Sequence, residues 1–346
     1  MRNLGFPLTV ILAALCLLLA ACGPAPVYRQ QSYVFGTLVE IAIYGEQSAK
    51  ARQAAAQVLE EFDTLHRRLH AWEPSELEAL NAAFAQGAGP VAVADDLYAI
   101  LRDAAAWSRR SDGLFNPAIG NLVRLWGFHA DTYAPKLPSE TEIAQLVTAR
   151  PEMDDLIYAE GRVSSRNPAV RIDLGGYAKG YALDRAAALL RQAGVKNALV
   201  NIGGNIIALG RKGDRPWRVG IQHPRRGGAL ASLDLHDGEA IGTSGDYQRY
   251  FEVDGRRYCH LIDPRSGRPV EGVQAVTVIA RGPHAGVASD VASKPLFIAG
   301  RAGWREMAQR LDITAALFVD GEGRIDYTPD MGARLRWESP PDQVGR

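Results

Sequence analysis

Cysteine is scarce in this sequence: there are three in 346 residues, and two of them, Cys16 and Cys22, lie close to the N-terminus. Cys259 is the third, so the main part of the chain lacks the second thiol that an intramolecular disulfide requires. A zinc site built from several thiolates is excluded for the same reason. The core must therefore be held together without covalent cross-links.

An excess of charge of either sign is also absent. The 39 lysines and arginines balance 39 aspartates and glutamates, and no block of like charges indicates a basic arm or an acidic tail. The balance argues against a nucleic-acid-binding protein, which usually has a basic face. With 47% hydrophobic residues, the chain is long enough for one large domain or two modest ones.

One long hydrophobic run is present, "LTVILAALCLLLAA" at 8–21, and Arg2 precedes it. The run falls short of the roughly 20 apolar residues of a membrane span and is typical of a cleaved signal peptide. It ends in "LAAC", which resembles a bacterial lipobox and predicts that the mature protein begins at a lipidated Cys22. An ordinary export signal with a chance cysteine is the alternative.

These features predict a lipoprotein signal peptide at 1–21 and a tether at 22–31. They also predict a lipoprotein of the cell envelope that faces the periplasm, on the inner or the outer membrane. Gly23 follows the cysteine, so the aspartate that usually signals inner-membrane retention is absent.

Apolar periodicity predicts helices over 48–69 and 95–110, and "SETE" at 139–142 is typical of a capping box that opens a third helix. The stretch 32–45 is predicted to be a strand. Short β-rich runs separated by glycine turns over 217–262 indicate an antiparallel meander.

We therefore predict an α+β fold in one continuous body over 32–335, helical in 32–150 and β-rich in 151–335. The last residues, 336–346, are predicted to be a tail.

The stretch "RIDLGGYAKGYALD" at 171–184 has the pattern of a strand, a glycine turn and a helix. The free N–H groups of such a helix start attract anions, phosphate above all. Lys179 lies in the first turn and can reach the same anion, and Asp173 can accept hydrogen bonds from a base or ribose. The alternative is a tight turn with a solvated lysine.

The stretch "GTSGDYQRYFEVDGRRYCHLIDPRSGRP" at 242–269 places His260 three residues before Asp263. A histidine at a strand end can accept a proton or contact phosphate near neutral pH. A structural histidine is the alternative. Trp72, just past a predicted helix, can stack on a flat ring or can simply cover the core.

The stretch "VASDVASKPLFIAG" at 287–300 places Asp290 and Lys294 four residues apart on a predicted helix, where their side chains can meet. Pro295 is expected to bend this helix. An ordinary surface ion pair, worth only a few tenths of a kcal/mol, is the alternative.

Four of these motifs, "DLGGYAKGYALD", "GTSGDYQRYF", "RYCHLIDPRSGRP" and "SDVAS…LFIAG", occur in order and together resemble the FAD:protein FMN transferase (ApbE-type) family of flavin-trafficking lipoproteins. The resemblance covers nearly all of the mature chain, from "FGTLVEI" to about Gly300. It implies an ApbE, T-fold-like architecture with mixed and antiparallel sheets flanked by helices.

The resemblance also implies roles for individual residues. Phe35 and Trp72 would bracket the isoalloxazine of FAD, Asp173 would hold FAD, and Lys179 would lie near its pyrophosphate. The residues implied to line the adenosine end are Phe115, Asn116 and Pro117. The residues with implied catalytic roles are His260, which would also contact the phosphates, Asp263 and Lys294.

A metal site is implied as well, formed by the Gly176 carbonyl, the Asp290 carboxylate and a threonine hydroxyl at position 294. Such oxygen ligands suit Mg²⁺, with Ca²⁺ second. Position 294 is lysine here, which leaves three interpretations: its ammonium replaces the metal's charge, it points away while Ser293 or water completes the site, or the site has degenerated.

The reaction implied is transfer of FMN from FAD to a threonine or serine hydroxyl of an acceptor protein, with release of AMP. The implied partner is a flavoprotein subunit or domain that is periplasmic or faces the membrane, which the transferase reaches from a lipid anchor. The alternative is an FAD-binding lipoprotein or an FAD pyrophosphatase with a lysine-substituted metal site.

Overall fold

The structure is a computed structural model that describes residues 27–130 and 137–338. The predicted signal peptide, Cys22 and most of the predicted tail lie outside the described residues. Within the described ranges, none of the helices has both the length and the apolar character needed to cross a membrane.

The helices form where apolar side chains recur at helical spacing, and each buries that face. Their bounds are α1 Ser48–Arg68, α2 Glu76–Ala85, α3 Asp95–Arg110, α4 Gly120–Leu125, α5 Glu140–Thr148, α6 Ala178–Gln192, α7 Ala285–Arg310 and α8 Pro329–Gly332, with a 3₁₀ turn at Met153–Asp155. The first two helices predicted from periodicity are confirmed to within one residue. The predicted capping box is confirmed too, since the Ser139 hydroxyl accepts from the Glu142 N–H.

The strands are short, and they pair both with neighbours in sequence and with strands far along the chain. Their bounds are β1 Val27–Val34, β2 Thr37–Tyr44, β3 Val91–Ala92, β4 Leu156–Ala159, β5 Arg162–Ser165, β6 Ala198–Ile202, β7 Asn205–Leu209, β8 Trp217–Gln222, β9 Ala229–Leu235, β10 Glu239–Gly245, β11 Tyr250–Val253, β12 Arg256–Cys259, β13 Ile262–Asp263, β14 Arg268–Pro269, β15 Val273–Arg281, β16 Ala315–Asp320, β17 Ile325–Tyr327 and β18 Arg336–Trp337.

An eight-stranded sheet in the order β1-β2-β6-β7-β10-β15-β16-β17 forms the centre of the molecule. Alternate residues of each strand face opposite sides of such a sheet. On β16, Ala316 and Phe318 face the core that the helices cover, whereas Ala315, Leu317 and Val319 face a second core under the three-stranded sheet β18-β9-β8. The predicted α+β class with antiparallel sheets is confirmed, and each ladder of the described residues is antiparallel.

Several local predictions differ from the structure. The stretch 32–45 is a hairpin rather than one strand, because Phe35 and Gly36 both have positive φ and turn the chain between β1 and β2. Strand β1 begins at Val27, inside the predicted tether, since its backbone pairs along the whole of β2. At the other end β18 pairs with β9, so Arg336 and Trp337 belong to the body and not to a tail.

The division into a helical first half and a β-rich second half is also less sharp than predicted. Strand β2 pairs directly with β6, so the hairpin of β1 and β2 completes the sheet of the second half. Helix α7 does contain Pro295, but its one break in helical dihedral angles within the described residues falls at Gly300, with φ of 65°.

Candidate functional site

The site is built where α6 and α7 cross with almost no side chain between them. A Cβ on Gly180 would lie 2.5 Å from the Gly286 carbonyl oxygen and 2.8 Å from the Asp290 Cβ, and a Cβ on Gly286 would clash with the Gly180 carbonyl in turn. Only glycine permits this approach. The crossing brings the glycine turn at 175–176, which the sequence singled out, against the first half of α7.

The start of α7 is held by a carboxylate that the sequence analysis did not single out. Asp184 accepts hydrogen bonds from the Gly286 N–H at 2.8 Å and from the Val287 N–H at 2.9 Å. Burial raises the pKa of Asp184 to about 6, although these two hydrogen bonds act against the rise. Its only signal in the sequence is its place as the last residue of "DLGGYAKGYALD".

Asp290 and Lys294 form a buried ion pair. The Lys294 Nζ lies 2.6 Å from the Asp290 Oδ1 and donates also to the Asp290 carbonyl at 2.7 Å, and the Asp290 side chain is only 2% exposed. The other carboxylate oxygen, Oδ2, accepts from the Gly180 N–H at 2.9 Å. The pair is therefore part of the crossing between α6 and α7, and the alternative of a surface pair does not describe it.

The aliphatic part of Lys294 lies directly on the glycine turn. A Cβ on Gly176 would come within 2.8 Å of the Lys294 Cε and 3.0 Å of its Cδ, and 3.5 Å from the ring of Phe115. The ammonium thus sits beside Gly176 and on Asp290, the two residues that the resemblance assigns to a metal. Lys294 does not point away from them.

Ser293 faces a different direction. Its hydroxyl donates to the Asp290 carbonyl at 2.8 Å and lies 2.7 Å from the Ser244 hydroxyl on β10. Because Ser293 uses its one proton on that carbonyl, Ser244 is the donor between the two hydroxyls. Both residues are buried, so this contact ties α7 to the central sheet.

Lys179 lies next to the pair in the first turn of α6. Within the described part of the chain its ammonium has neither a hydrogen bond nor an ion pair. Burial lowers the pKa of Lys179; the charge of Asp290 acts against this, and the nearby Lys294 and Arg249 add to it. A partly buried ammonium without a partner is costly, so this position favours an anionic ligand.

His260 completes the cluster from the end of β12. Its Nδ1 lies 3.1 Å from the Arg249 carbonyl, which can only accept, so Nδ1 carries the proton and Nε2 is left as an acceptor. Burial, together with the charges of Arg249, Lys179 and Lys294, lowers the pKa of His260 to about 3. The imidazole is therefore neutral at physiological pH and able to take up a proton.

Asp263 is engaged in its own turn. Its carboxylate forms a two-pronged ion pair with Arg265, with distances of 3.0 Å from Nε to Oδ1 and 2.8 Å from Nη2 to Oδ2. Its carbonyl accepts from the Gly267 N–H at 2.8 Å. These contacts give Asp263 a structural place next to His260, and its implied catalytic role stays a prediction.

The residues predicted to hold nucleotide are brought to the same glycine turn. The Asp173 carboxylate accepts from the Gly175 N–H at 2.7 Å, and its own N–H donates to the Pro117 carbonyl at 2.8 Å. The Asn116 side chain donates to the Pro151 carbonyl and accepts from the Ala118 N–H, so it holds the 115–117 loop in shape.

A cavity of about 730 Å³ lies along that loop, with Asn116 and Arg265 among the residues of its wall. Lys179, Asp290 and Lys294 do not line it. The cluster of Lys179, Asp290 and Lys294 is therefore separate from this cavity.

The two aromatic residues predicted to bracket a ring lie on separate elements. Phe35, in the β1–β2 turn, packs against Phe62 and His66, with ring centroids 5.9 Å and 5.6 Å away. Trp72 lies 5.6 Å from the His129 ring and has the Arg171 guanidinium 4.6 Å above its own. In the described residues no ring contact joins Phe35 to Trp72, so their joint role stays a prediction.

Comparison with known proteins gives a consistent result. The family model described as the ApbE family matches residues 35–318. A Rhodobacter capsulatus protein named FAD:protein FMN transferase is 44% identical over 90% of this chain, which spans 59% of that protein's length. A Klebsiella pneumoniae protein of the same name is 33% identical, over 91% of this chain and 95% of its own.

Solved structures agree with these matches. The ApbE protein of Thermotoga maritima has a TM-score of 0.82 at 31% identity, over 90% of this chain and 100% of its own. The flavinyl transferase ApbE of Pseudomonas stutzeri, in its apo form, has a TM-score of 0.74 at 30% identity, over 89% of this chain and 95% of its own.

Proposed function

Because this chain belongs to the ApbE family, we propose that it is an FAD:protein FMN transferase, as its curated relatives are named. The observation that carries the proposal is the cluster beside the glycine turn. There, Lys179 has no hydrogen bond or ion pair within the described residues, its charge and that of Lys294 act on the neutral His260, and the Asp290–Lys294 pair lies alongside. Such a cluster suits the two phosphates of FAD. The relatives' names favour the transferase over the alternative of a pyrophosphatase or a flavin-binding lipoprotein.

In the proposed reaction, the hydroxyl oxygen of a threonine or serine in an acceptor protein forms a bond to the FMN-side phosphorus of FAD. The bond from that phosphorus to the bridging oxygen breaks, and AMP leaves with the electron pair. The Nε2 of His260 takes the hydroxyl proton, because the imidazole is neutral and the negative charge of FAD at the cluster raises its low pKa towards that of an effective base.

Positive charge held in place before the reaction stabilises the charge that develops on the phosphate oxygens. Lys179 supplies it from the first turn of α6. The Asp184 caps on α7 and the glycine crossing keep these groups in register, and positioning is the other main contribution in phosphoryl transfer.

The remaining assignments follow the orientation of FAD. With its phosphates at Lys179, the isoalloxazine extends towards Phe35 and Trp72, and the adenosine towards 115–117 and Asp173. We assign Asp173 to FAD binding because its carboxylate already braces the glycine turn, and a carboxylate oxygen remains for a ribose or base.

The proposed location is the cell envelope. The apolar run at 8–21 and the "LAAC" sequence at 19–22 support a lipid-anchored protein whose body faces the periplasm. Its partner would be a flavoprotein subunit or domain in the same compartment. A Cys22→Ala variant should lose incorporation of labelled palmitate in cells, and unchanged labelling would contradict the anchor.

The test of the function uses the full chain in detergent with FAD and a candidate acceptor domain. AMP release is followed by chromatography, and the mass gain of the acceptor by mass spectrometry. The proposal predicts AMP and an acceptor heavier by one FMN less water. Lys212→Met, at an exposed lysine, is the matched control for Lys179→Met. FAD that binds but yields no AMP would contradict the proposal.

A further inference from the structure

The resemblance implies a metal ion between Gly176 and Asp290, and the residues of this chain do not fit one. We propose instead that the Lys294 ammonium is the permanent cation of this position, so that no divalent metal ion binds there and the site works without one. The statement about metal binding is independent of the proposed function. Only the role of the ammonium in catalysis rests on it.

The oxygen atoms of Asp290 already accept hydrogen bonds from within the protein. Lys294 takes Oδ1 and shares the carbonyl with Ser293, and the Gly180 N–H takes Oδ2. A Mg²⁺ ion needs six oxygen ligands near 2.1 Å, and Ca²⁺ six to eight. A metal ion would have to displace an ammonium that is paired and only 15% exposed.

A metal ion at this position would also need protein ligands besides Asp290. The described residues contain no group of three or more histidine, cysteine, aspartate or glutamate side chains that could hold a metal ion. The hydroxyl nearest in sequence, that of Ser293, is turned to Ser244 on β10 and donates to the Asp290 carbonyl. Ser293 is therefore not in a position to stand in for the missing threonine.

The fold leaves space for the Lys294 side chain beside the glycine turn. The absence of a Cβ at Gly176 lets the Lys294 Cδ and Cε lie against the backbone of the turn, which fixes the direction of the side chain. Asp290 and Lys294 are four residues apart on one helix, which is a spacing at which two side chains can contact each other. The position is thus built for an ammonium and is not a lysine left over in a degenerate site.

The Lys294 ammonium can still donate a hydrogen bond to a substrate. An ammonium has three N–H donors, and Asp290 takes two of them. The third can donate to a phosphate oxygen of FAD beside Lys179. The single positive charge of Lys294, which is fixed in the protein, thereby replaces the two charges of a divalent metal ion that would have to bind from solution.

The experiment compares the parent with Lys294→Thr, and uses Lys212→Thr, at an exposed lysine, as the matched control. Mn²⁺ is the probe, and its binding to the full chain is measured by calorimetry and by the loss of its free paramagnetic signal. We expect no binding to the parent or the control at 1 mM Mn²⁺. Lys294→Thr should bind at least about tenfold more tightly, since it restores an oxygen ligand and removes the ammonium.

AMP release is measured in parallel with Mg²⁺ or with a chelator. The parent should release AMP in chelator at a rate within about twofold of its rate in Mg²⁺. The Lys294→Thr variant should release AMP at least about tenfold more slowly in chelator than in Mg²⁺. One Mn²⁺ per parent chain, or loss of the parent's activity in chelator, would overturn the inference. If no variant releases AMP but Mn²⁺ binds only to Lys294→Thr, the function fails and the inference about the cation stands.

A measurement on the parent alone guards against a variant that does not fold. A bound metal ion stabilises the folded state, so Mg²⁺ would raise the melting temperature of a protein with a metal site. We expect the melting temperature of the parent to be the same in Mg²⁺ and in chelator. A rise in Mg²⁺ would contradict the inference.

Discussion

Two carboxylates, Glu239 and Asp290, are each only 2% exposed and each lies in a group of cationic side chains, yet the two regions differ. Glu239, at the start of β10, accepts from Arg334 at 2.6 Å and 3.1 Å, from Arg281 at 2.9 Å and from the His236 N–H at 2.9 Å. The Asp290 carboxylate accepts from one ammonium and one backbone N–H, and beside it Lys179 has no hydrogen bond or ion pair among the described residues.

The Glu239 region is a structural ion pair, whereas the Asp290 region has the features of a ligand-binding site. At Glu239 both cations are used, and Arg334 also donates to the Asp234 carbonyl, so the group pins the segment after α8 to two sheets. At Asp290 the nearby Lys179 stays unsatisfied, and the neutral His260 offers a further acceptor. Buried charge alone is therefore weak evidence for function, whereas an unpartnered cation beside it is stronger.

The largest expected effect comes from Lys179→Met, which removes the unpartnered cation. AMP release from FAD should fall by about 100-fold or more, because one fixed donor to the developing charge is lost. The melting temperature should stay the same or rise, since no partner is left behind. A variant with normal AMP release would show that Lys179 is no part of the phosphate site.

Arg334→Met should have the next largest effect, and it should lower stability while leaving activity unchanged. Removal of one partner leaves Glu239 buried with part of its charge uncompensated, which typically costs about 3 kcal/mol or more in the free energy of unfolding. Chemical denaturation measures this loss. The rate of AMP release per folded molecule should be unchanged, and a large fall in that rate would break the distinction drawn between the two regions.

The acid stability of the Glu239 region should follow its pKa. Burial raises the pKa of Glu239, but hydrogen bonds from Arg334, the His236 N–H and Arg281 outweigh it and lower the pKa to about 2 from 4.5. The lowered pKa contributes stability that is present above pH 4.5 and is lost as the pH falls from 4.5 towards 2.

A Glu239→Gln variant should therefore show a flatter dependence of the free energy of unfolding on pH in that window. Glu322→Gln, at an exposed glutamate, is the control and should keep the slope of the parent. Equal slopes in Glu239→Gln and the parent would argue against the strong pairing.

The smallest effect is a shift in the titration of His260. In the ligand-free protein its pKa of about 3 means that the imidazole stays neutral from pH 8 down to pH 5. Inorganic pyrophosphate at the cluster should raise that pKa, because its negative charge opposes Lys179, Lys294 and Arg249. Nuclear magnetic resonance of the imidazole measures the shift, and an unchanged pKa at saturating pyrophosphate would place the anion elsewhere.

Several elements of the fold and the site were accessible from the sequence because their signals are local. Periodic apolar residues predicted α1 and α3, and the serine and glutamate of a capping box predicted the start of α5. The order of four motifs indicated the family, and the anion site at the glycine turn with its lysine stays a prediction. The helix and capping signals each lie within some 20 residues of chain, where spacing alone fixes the geometry.

Other features depend on residues far apart and had no local signal. Asp184 caps a helix that begins about a hundred residues later, and Glu239 meets Arg334 across a similar separation. The hairpin at Phe35 was missed because a phenylalanine with positive φ is not a turn signal that composition reveals.

The sequence by itself determined the helices with strong apolar periodicity, the glycine turn, the family and the presence of lysine at position 294. Only the tertiary structure decided what that lysine does. The same spacing of Asp290 and Lys294 would give a weak pair on an exposed helix. Here α6 and α7 cross at Gly180 and Gly286, which excludes water from Asp290 and seats the ammonium on Gly176. Desolvation arises from packing between distant segments, and it turns a common helical pair into the fixed cation of a site.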